Sequence, residues 1–210
     1  VVEHLRESGR VSTIALWGRS MGAATSLMHG DRDPSIAAMI LDSPFADLTQ
    51  LAEEMVDKGR SQGLMVPGFV VSIAISMIRG SVKKQAGFNI KDISPIKNVD
   101  KCFIPALFVA GESDDFILPH HSEKIHAKYA GDKNMVRVEG DHNSARPRFL
   151  FDSATIFLQN YLQIPPDWAI SGADVYNNGY APWHSGFPGY MGSSLALDEV
   201  QMRMAGLETT

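Results

Sequence analysis

The sequence predicts an α/β fold: a mostly parallel sheet of about four strands flanked by helices, interrupted by a helical cap-like insertion. Three observations carry that expectation. Short apolar runs at residues 11–17, 36–41, 104–110 and 135–138 have the length and composition of buried strands. Stretches of helical periodicity alternate with them, which calls for parallel strands covered on both faces. Each run also ends at a loop bearing Gly, Asp or Ser, and consecutive runs fit right-handed strand–helix–strand units.

Taken in order, residues 1–9 read as the last turns of a helix ending at Gly9, so the chain reads as beginning mid-domain. Residues 11–17 form the first strand and 20–30 the following helix. After the turn at Asp31-Arg32-Asp33-Pro34, residues 36–41 form the second strand, which stops at Asp42-Ser43-Pro44. The period then changes: Leu48, Leu51, Ala52, Met55 and Val56 recur at helical spacing, and Pro67 opens a second apolar helix through Phe69, Val70, Ile73, Ile75 and Met77. This insertion, about 47–98, is either a cap over a substrate cavity or a pair of helices packed on the sheet. Residues 104–110 are the third strand, 120–129 a helix, and 135–138 the fourth strand. A last helix within 146–162 is expected to bury Phe149, Ile156, Phe157 and Tyr161. Residues 1–165 thus form the expected core. Residues 166–210, rich in Gly, Pro, Asn and aromatics, read as a disordered tail, with Leu197, Val200, Met204 and Leu207 on one face of any short terminal helix.

The most informative stretch is Gly18-Arg19-Ser20-Met21-Gly22, a G-x-S-x-G pentapeptide between a strand pattern and a helix start. A serine forced into a sharp strand-to-helix turn brings the backbone two residues before it close to that two residues after it. Side chains at Gly18 or Gly22 are therefore expected to clash. The turn lifts the Ser20 hydroxyl clear of the sheet and aims the Met21 N–H, at a helix N-terminus, toward negative charge developing beside it. A serine hydroxyl needs an imidazole to take its proton, and the imidazole needs a carboxylate to set its tautomer. The loops after the third and fourth strands supply both: Gly111-Glu112-Ser113-Asp114-Asp115 and Gly140-Asp141-His142-Asn143. Asp114, Ser20 and His142 are the expected catalytic set.

Competing residues are assigned duller roles. Asp115 points away from Asp114, Asp42 fixes the turn into Ser43-Pro44, and Asp141 orients the His142 loop. His29, His120, His121 and His126 are expected to be solvated or capping. No His-Glu-x-x-His spacing is present and Cys102 is the sole cysteine, so neither a metal site nor a cofactor is expected, nor a disulfide framework. The hydrophobic fraction of 44% and charged fraction of 20% are ordinary for a globular chain of 210 residues. A net charge of −5 without a basic tract argues against nucleic acid. No apolar run reaches membrane-spanning length and no signal peptide is visible, so a cytoplasmic setting is expected.

Asp42-Ser-Pro-Phe-Ala-Asp-Leu48, Gly111-Glu-Ser-Asp-Asp-Phe-Ile117 and Gly140-Asp-His-Asn-Ser-Ala-Arg-Pro147 resemble the α/β-hydrolase superfamily. Within it they look like the serine aminopeptidase-like branch (peptidase family S33), near the α/β-hydrolase domain-containing proteins of eukaryotes. The order serine, aspartate, histidine is also that superfamily's order. The resemblance covers residues 1–165. It implies an acyl-enzyme mechanism with Ser20 as nucleophile, His142 as base then acid, Asp114 as its partner and Met21 as one backbone oxyanion donor. It also implies earlier strands and a second oxyanion donor that have no counterpart here, so the chain reads as the C-terminal part of a hydrolase, a partial α/β-hydrolase fold.

The leading expectation is hydrolysis of a small-molecule ester or thioester with an apolar acyl group, given Met65, Phe69, Ile73 and Met77 in the insertion. Aminopeptidase activity is the first alternative, with Glu53, Glu54 and Asp57 as carboxylates for a substrate ammonium. The second is a non-catalytic interaction module that takes a protein partner through the tail.

Overall fold

A computed structural model describes residues 1–63 and 67–165, the side chains at 69 and 72–75 excepted. The expectations for Met65, for the Phe69 and Ile73 side chains, and for the tail with Leu197, Val200, Met204 and Leu207 lie outside the described residues.

Four parallel strands form one sheet: β1 (Ala15–Arg19), β2 (Ala38–Asp42), β3 (Ala106–Gly111) and β4 (Lys133–Val138), in spatial order β1-β2-β3-β4. Pairing of Arg19 with Asp42, Asp42 with Val109 and Gly111 with Val138 brings all four C-terminal ends to one edge of the fold. The α-helices among the described residues are α1 (Val2–Glu7), α2 (Met21–Gly30), α3 (Leu48–Ser61), α4 (Gly68–Ala86), α5 (His120–Lys128) and α6 (Arg148–Leu162). This is the flanked parallel sheet that the alternating pattern predicts.

Strand periodicity builds a core on each face. Met39, Leu41, Ala106 and Phe108 point one way and meet Ala23 and Leu27 of α2, Ile125 of α5 and Tyr129. Their neighbours Ala38, Ile40, Leu107 and Val109 point the other way and meet Leu150, Ala154 and Phe157 of α6. Because β2 and β3 are buried on both sides, they read as unbroken apolar runs rather than alternating ones. Each fully buried Leu, Ile, Met or Phe among them contributes about 1.5–3 kcal/mol. A third, smaller cluster of Ala24, Phe45, Leu51 and Ile117 sits with Leu48 of α3 and with Ile93. Asp47 caps α3, accepting from the N–H groups of Thr49 (2.7 Å) and Gln50 (3.1 Å).

Two expectations require correction. The first strand begins at Ala15, not Val11, and it is not buried: Val11 and Trp17 are 39% and 47% exposed. Among the described strands β1 has a neighbour on one side only, and the Trp17 ring lies 6.2 Å from that of Phe151 in α6. In α6 Phe157 is buried and Tyr161 packs against the same core, as expected, but the rest of the buried stripe is Leu150 and Ala154, whereas Phe149 and Ile156 are 51% and 61% exposed. Small Ala154 lets the helix approach the sheet, so the face is set by where α6 fits closest rather than by its largest residues.

Candidate active site

At the end of β1 the chain turns through Ser20 at φ 55°, ψ −118°, and α2 begins at the next residue. A positive φ on a serine costs on the order of 1–3 kcal/mol, and such strain persists only where its surroundings fix it. Here the Ser20 N–H donates to the Asp42 carbonyl (2.7 Å), and the Ser20 carbonyl accepts from the Ala24 N–H (3.1 Å). Gly18 is what lets the turn close. A Cβ there would lie 2.3 Å from both the carbonyl carbon and oxygen of Gly22. The same role expected of Gly22 is not seen, since a Cβ on Gly22 meets nothing within 4 Å. Met21 is the first residue of α2, so its N–H has no partner within the helix and faces the turn with the positive end of the helix dipole.

The loops after β3 and β4 are stitched together by backbone bonds from Glu112 N–H to Val138 O (2.8 Å) and Ser113 N–H to Gly140 O (3.1 Å). Gly140, at φ 103°, has no room for a side chain, because a Cβ would sit 2.6 Å from that of Ser144. Asp114 is 1% exposed. Its Oδ1 accepts from the N–H groups of Phe116 (3.1 Å) and Ile117 (2.8 Å), and its Oδ2 faces His142 Nδ1 at 2.7 Å. A carboxylate can only accept, so that contact keeps the proton on Nδ1 and leaves Nε2 with a free lone pair. Phe116 flanks the imidazole, its ring centroid 5.1 Å away.

Among the described residues no hydrogen bond joins Ser20 to His142. What links the two loops is Arg19, next to the serine, whose guanidinium donates to the carbonyls of His142 and Ser144. Catalytic contacts of this kind often tighten only when substrate binds.

Neighbouring acids part ways. Asp115 is turned outward, its carboxylate paired with Lys58 (2.6 Å). Asp141 accepts from the N–H groups of Asn143 and Ser144 and from the Ser144 hydroxyl, each at 2.8 Å, and these bonds hold its carboxyl below the usual range. Asp42 accepts from the Ser43 hydroxyl (3.1 Å), in keeping with the turn role expected of it, and it is also buried and receives a two-pronged ion pair from Arg146. Nothing in the sequence flags that pair, because the partners are 104 positions apart.

His121 also departs from expectation: it is wholly buried, not solvated. Its Nδ1 accepts from the Ala46 N–H (3.2 Å), so the neutral ring carries its proton on Nε2 and donates to Glu54 Oε2 (2.8 Å). Glu54 Oε1 also accepts from Gln50 (2.6 Å) and lies 3.1 Å from His120 Nε2. Glu54, His120 and His121 offer ligand atoms within 4.8 Å of one another. A metal-bound imidazole ligates through a bare nitrogen and donates from the other. His121 has the opposite arrangement, and the cluster ties α3 to α5 instead. His126, also expected in water, packs edge-on against Phe108 with ring centroids 5.4 Å apart. His29 lies 3.2 Å from Asp33.

The bridge has a pH signature. Burial holds the His121 imidazole below its ordinary 6.5, with Glu54 pulling the other way. The unfolded chain therefore takes up the proton first as pH falls through 6.5, and stability drops below that point. Glu54 is also held low: burial opposes this, and hydrogen bonds from Gln50 and His121 outweigh it. Its contribution, present above 4.5, is lost as pH falls through its lower folded value, so both groups act in the same direction. Urea midpoints measured from pH 7.5 to 5 are expected to fall, with His121 supplying at most about 1.4 kcal/mol per pH unit. His121→Gln should flatten the part of that slope nearest pH 6.5.

No family model matches the chain. Curated proteins similar to it include YqkD of Bacillus subtilis (strain 168), an uncharacterized protein 29% identical over 132 residues, 61% of this chain and 41% of that protein. YfhR of Escherichia coli (strain K12), also uncharacterized, is 29% identical over 150 residues, 69% of this chain and 43% of that protein. The chain thus spans about two fifths of the length of these relatives. Among solved structures, a puromycin-hydrolyzing peptidase of Mycobacterium tuberculosis aligns at TM-score 0.56 and 19% identity, over 78% of this chain and 24% of that one. The Pyrococcus furiosus esterase Pf2001 aligns at TM-score 0.56 and 15% identity, over 77% and 59%. At such identities the likeness is one of fold, and four parallel strands with helices on both faces and a strand–turn–helix at Ser20 make this chain a partial α/β-hydrolase fold.

Proposed function

We propose that this chain carries the reacting groups of a serine hydrolase that cleaves an ester or thioester through an acyl-enzyme. The observation that supports this most directly is the 2.7 Å contact of buried Asp114 with His142 Nδ1, at the sheet edge where Ser20 holds its strained turn. Solved structures of this fold include esterases and peptidases, which supports hydrolysis as the reaction class.

In this reading His142 Nε2 takes the Ser20 proton as Oγ bonds to the substrate carbonyl carbon. The carbonyl oxygen gains the electron pair and is met by the Met21 N–H. Collapse of that intermediate breaks the bond to the alcohol or thiol, which leaves with the proton from His142. Water then repeats the sequence on the acyl-serine, activated by the same imidazole, and Ser20 regains its proton. Each oxyanion donor is worth about 10²–10³ in rate.

An ester or thioester is favoured over an aminopeptidase substrate because two of the three carboxylates that would hold an ammonium are engaged, and the third, Glu53, stands exposed on α3. Glu54 is shared by Gln50, His120 and His121, and Asp57 pairs with Arg60 at 3.0 Å. The resemblance to serine aminopeptidase-like proteins is one of sequence motifs, and substrate is a separate matter. A fluorophosphonate probe is expected to label the full protein at Ser20, and Ser20→Ala to abolish that labelling. Equal labelling of the variant would remove Ser20 from the role.

A further inference from the structure

We infer that Asp42, acting through Arg146 and Arg19, is the positioning residue that sets His142 over the Ser20 turn. The inference rests on the function proposed above and adds to it a group that never touches the reacting atoms.

Asp42 is the last residue of β2, its side chain 5% exposed, and it lies beside the end of β1. Arg146, 4% exposed, donates from Nε to Oδ2 (3.0 Å) and from Nη2 to Oδ1 (2.9 Å). Its remaining nitrogen, Nη1, donates to the Asp141 carbonyl (3.1 Å) and reaches that of Ser144 (3.5 Å). Arg19 approaches the same carboxylate, its Nε 3.6 Å from Oδ2, while its Nη2 donates to the carbonyls of His142 and Ser144. Two guanidiniums therefore each place one arm on Asp42 and the other on backbone within two residues of His142.

The division of labour follows from geometry. Asp114 grips the ring and fixes its tautomer, but a ring gripped at one nitrogen can still move with its loop. The clamp fixes the loop itself, and it is fastened to the strand end whose carbonyl already anchors the Ser20 N–H. A displacement near 1 Å between nucleophile and base costs up to about 10²-fold in rate. The planar fork is essential: an ammonium at position 146 would keep the charge but could not hold both carboxylate oxygens and a carbonyl at once.

The test uses Arg146→Lys and, because a buried pair has been cut there, also Arg19→Gln, whose side chain is 39% exposed. Both are compared with wild type in the full protein, at a temperature where circular dichroism shows each folded. Two rates are read: carbethoxylation of His142 by diethylpyrocarbonate, and fluorophosphonate labelling of Ser20 across pH. The clamp predicts at least a 10-fold rise in His142 carbethoxylation and at least a 10-fold fall in the labelling plateau. It also predicts that the low-field Nδ1–H resonance of His142 survives, since Asp114 is untouched. His142 reactivity within twofold of wild type in both variants would overturn the clamp. So would raised reactivity with an unchanged labelling plateau. An inert wild type, by contrast, would count against the proposed hydrolase itself, and the carbethoxylation rates would still decide whether the clamp holds the loop.

Discussion

Asp114→Asn is expected to slow acylation of Ser20 by about 10⁴-fold while the sheet stays folded. The amide oxygen of the new side chain can replace Oδ1 and keep the bonds from the Phe116 and Ile117 N–H groups. Its NH₂, however, lands where Oδ2 met His142 Nδ1, setting donor against donor. The ring escapes by moving its proton to Nε2, and the nitrogen meant to receive the serine proton is then already occupied. Asp115→Asn makes the matching control. It cuts only an exposed pair with Lys58, worth about 0–1 kcal/mol, and should leave the rate near wild type. Labelling rates of both variants with the same probe decide the assignment. A comparable loss in the two would show that Asp114 has no special role.

Gly18→Ala is expected to lower stability by about 3 kcal/mol or more, a large effect for a single methyl group. The added carbon would overlap the Gly22 carbonyl at 2.3 Å, and the Ala23 nitrogen at 2.5 Å blocks retreat. Those atoms are backbone of α2, so relief requires opening the turn that holds Ser20. Gly22→Ala adds the same methyl group four residues later into open space, at a helical position. It should be neutral or stabilising by up to about 1 kcal/mol. Urea midpoints of the two, at constant m-value, make the comparison. A tolerated Gly18→Ala would mean the elbow is not held as tightly as its contacts indicate.

Legibility in the sequence followed the range of the forces involved. The strands, the turn at Ser20 and the loops at Asp114 and His142 are marked by local pattern, and the described sheet follows that pattern. The buried face of α6 was not legible, because Phe149 and Leu150 are both apolar and only contact with the sheet chooses between them. Trp17 reads as core by composition, yet it stands on a strand with one described neighbour. The polar corrections share a cause. His121 finds Glu54 across 67 positions and Asp42 finds Arg146 across 104, and no spacing rule announces a partner that distant. His121 was expected in solvent and Asp42 only in a local turn, whereas pairing is what makes burial of both affordable.

Cys102 is 1% exposed, its sulfur 3.2 Å from the Tyr129 hydroxyl. A thiol reagent can reach it only when the packing around β3 parts. The protein thus contains its own clock for core opening: the rate at which this lone thiol is alkylated in native buffer records how often the packing on that face of the sheet comes apart.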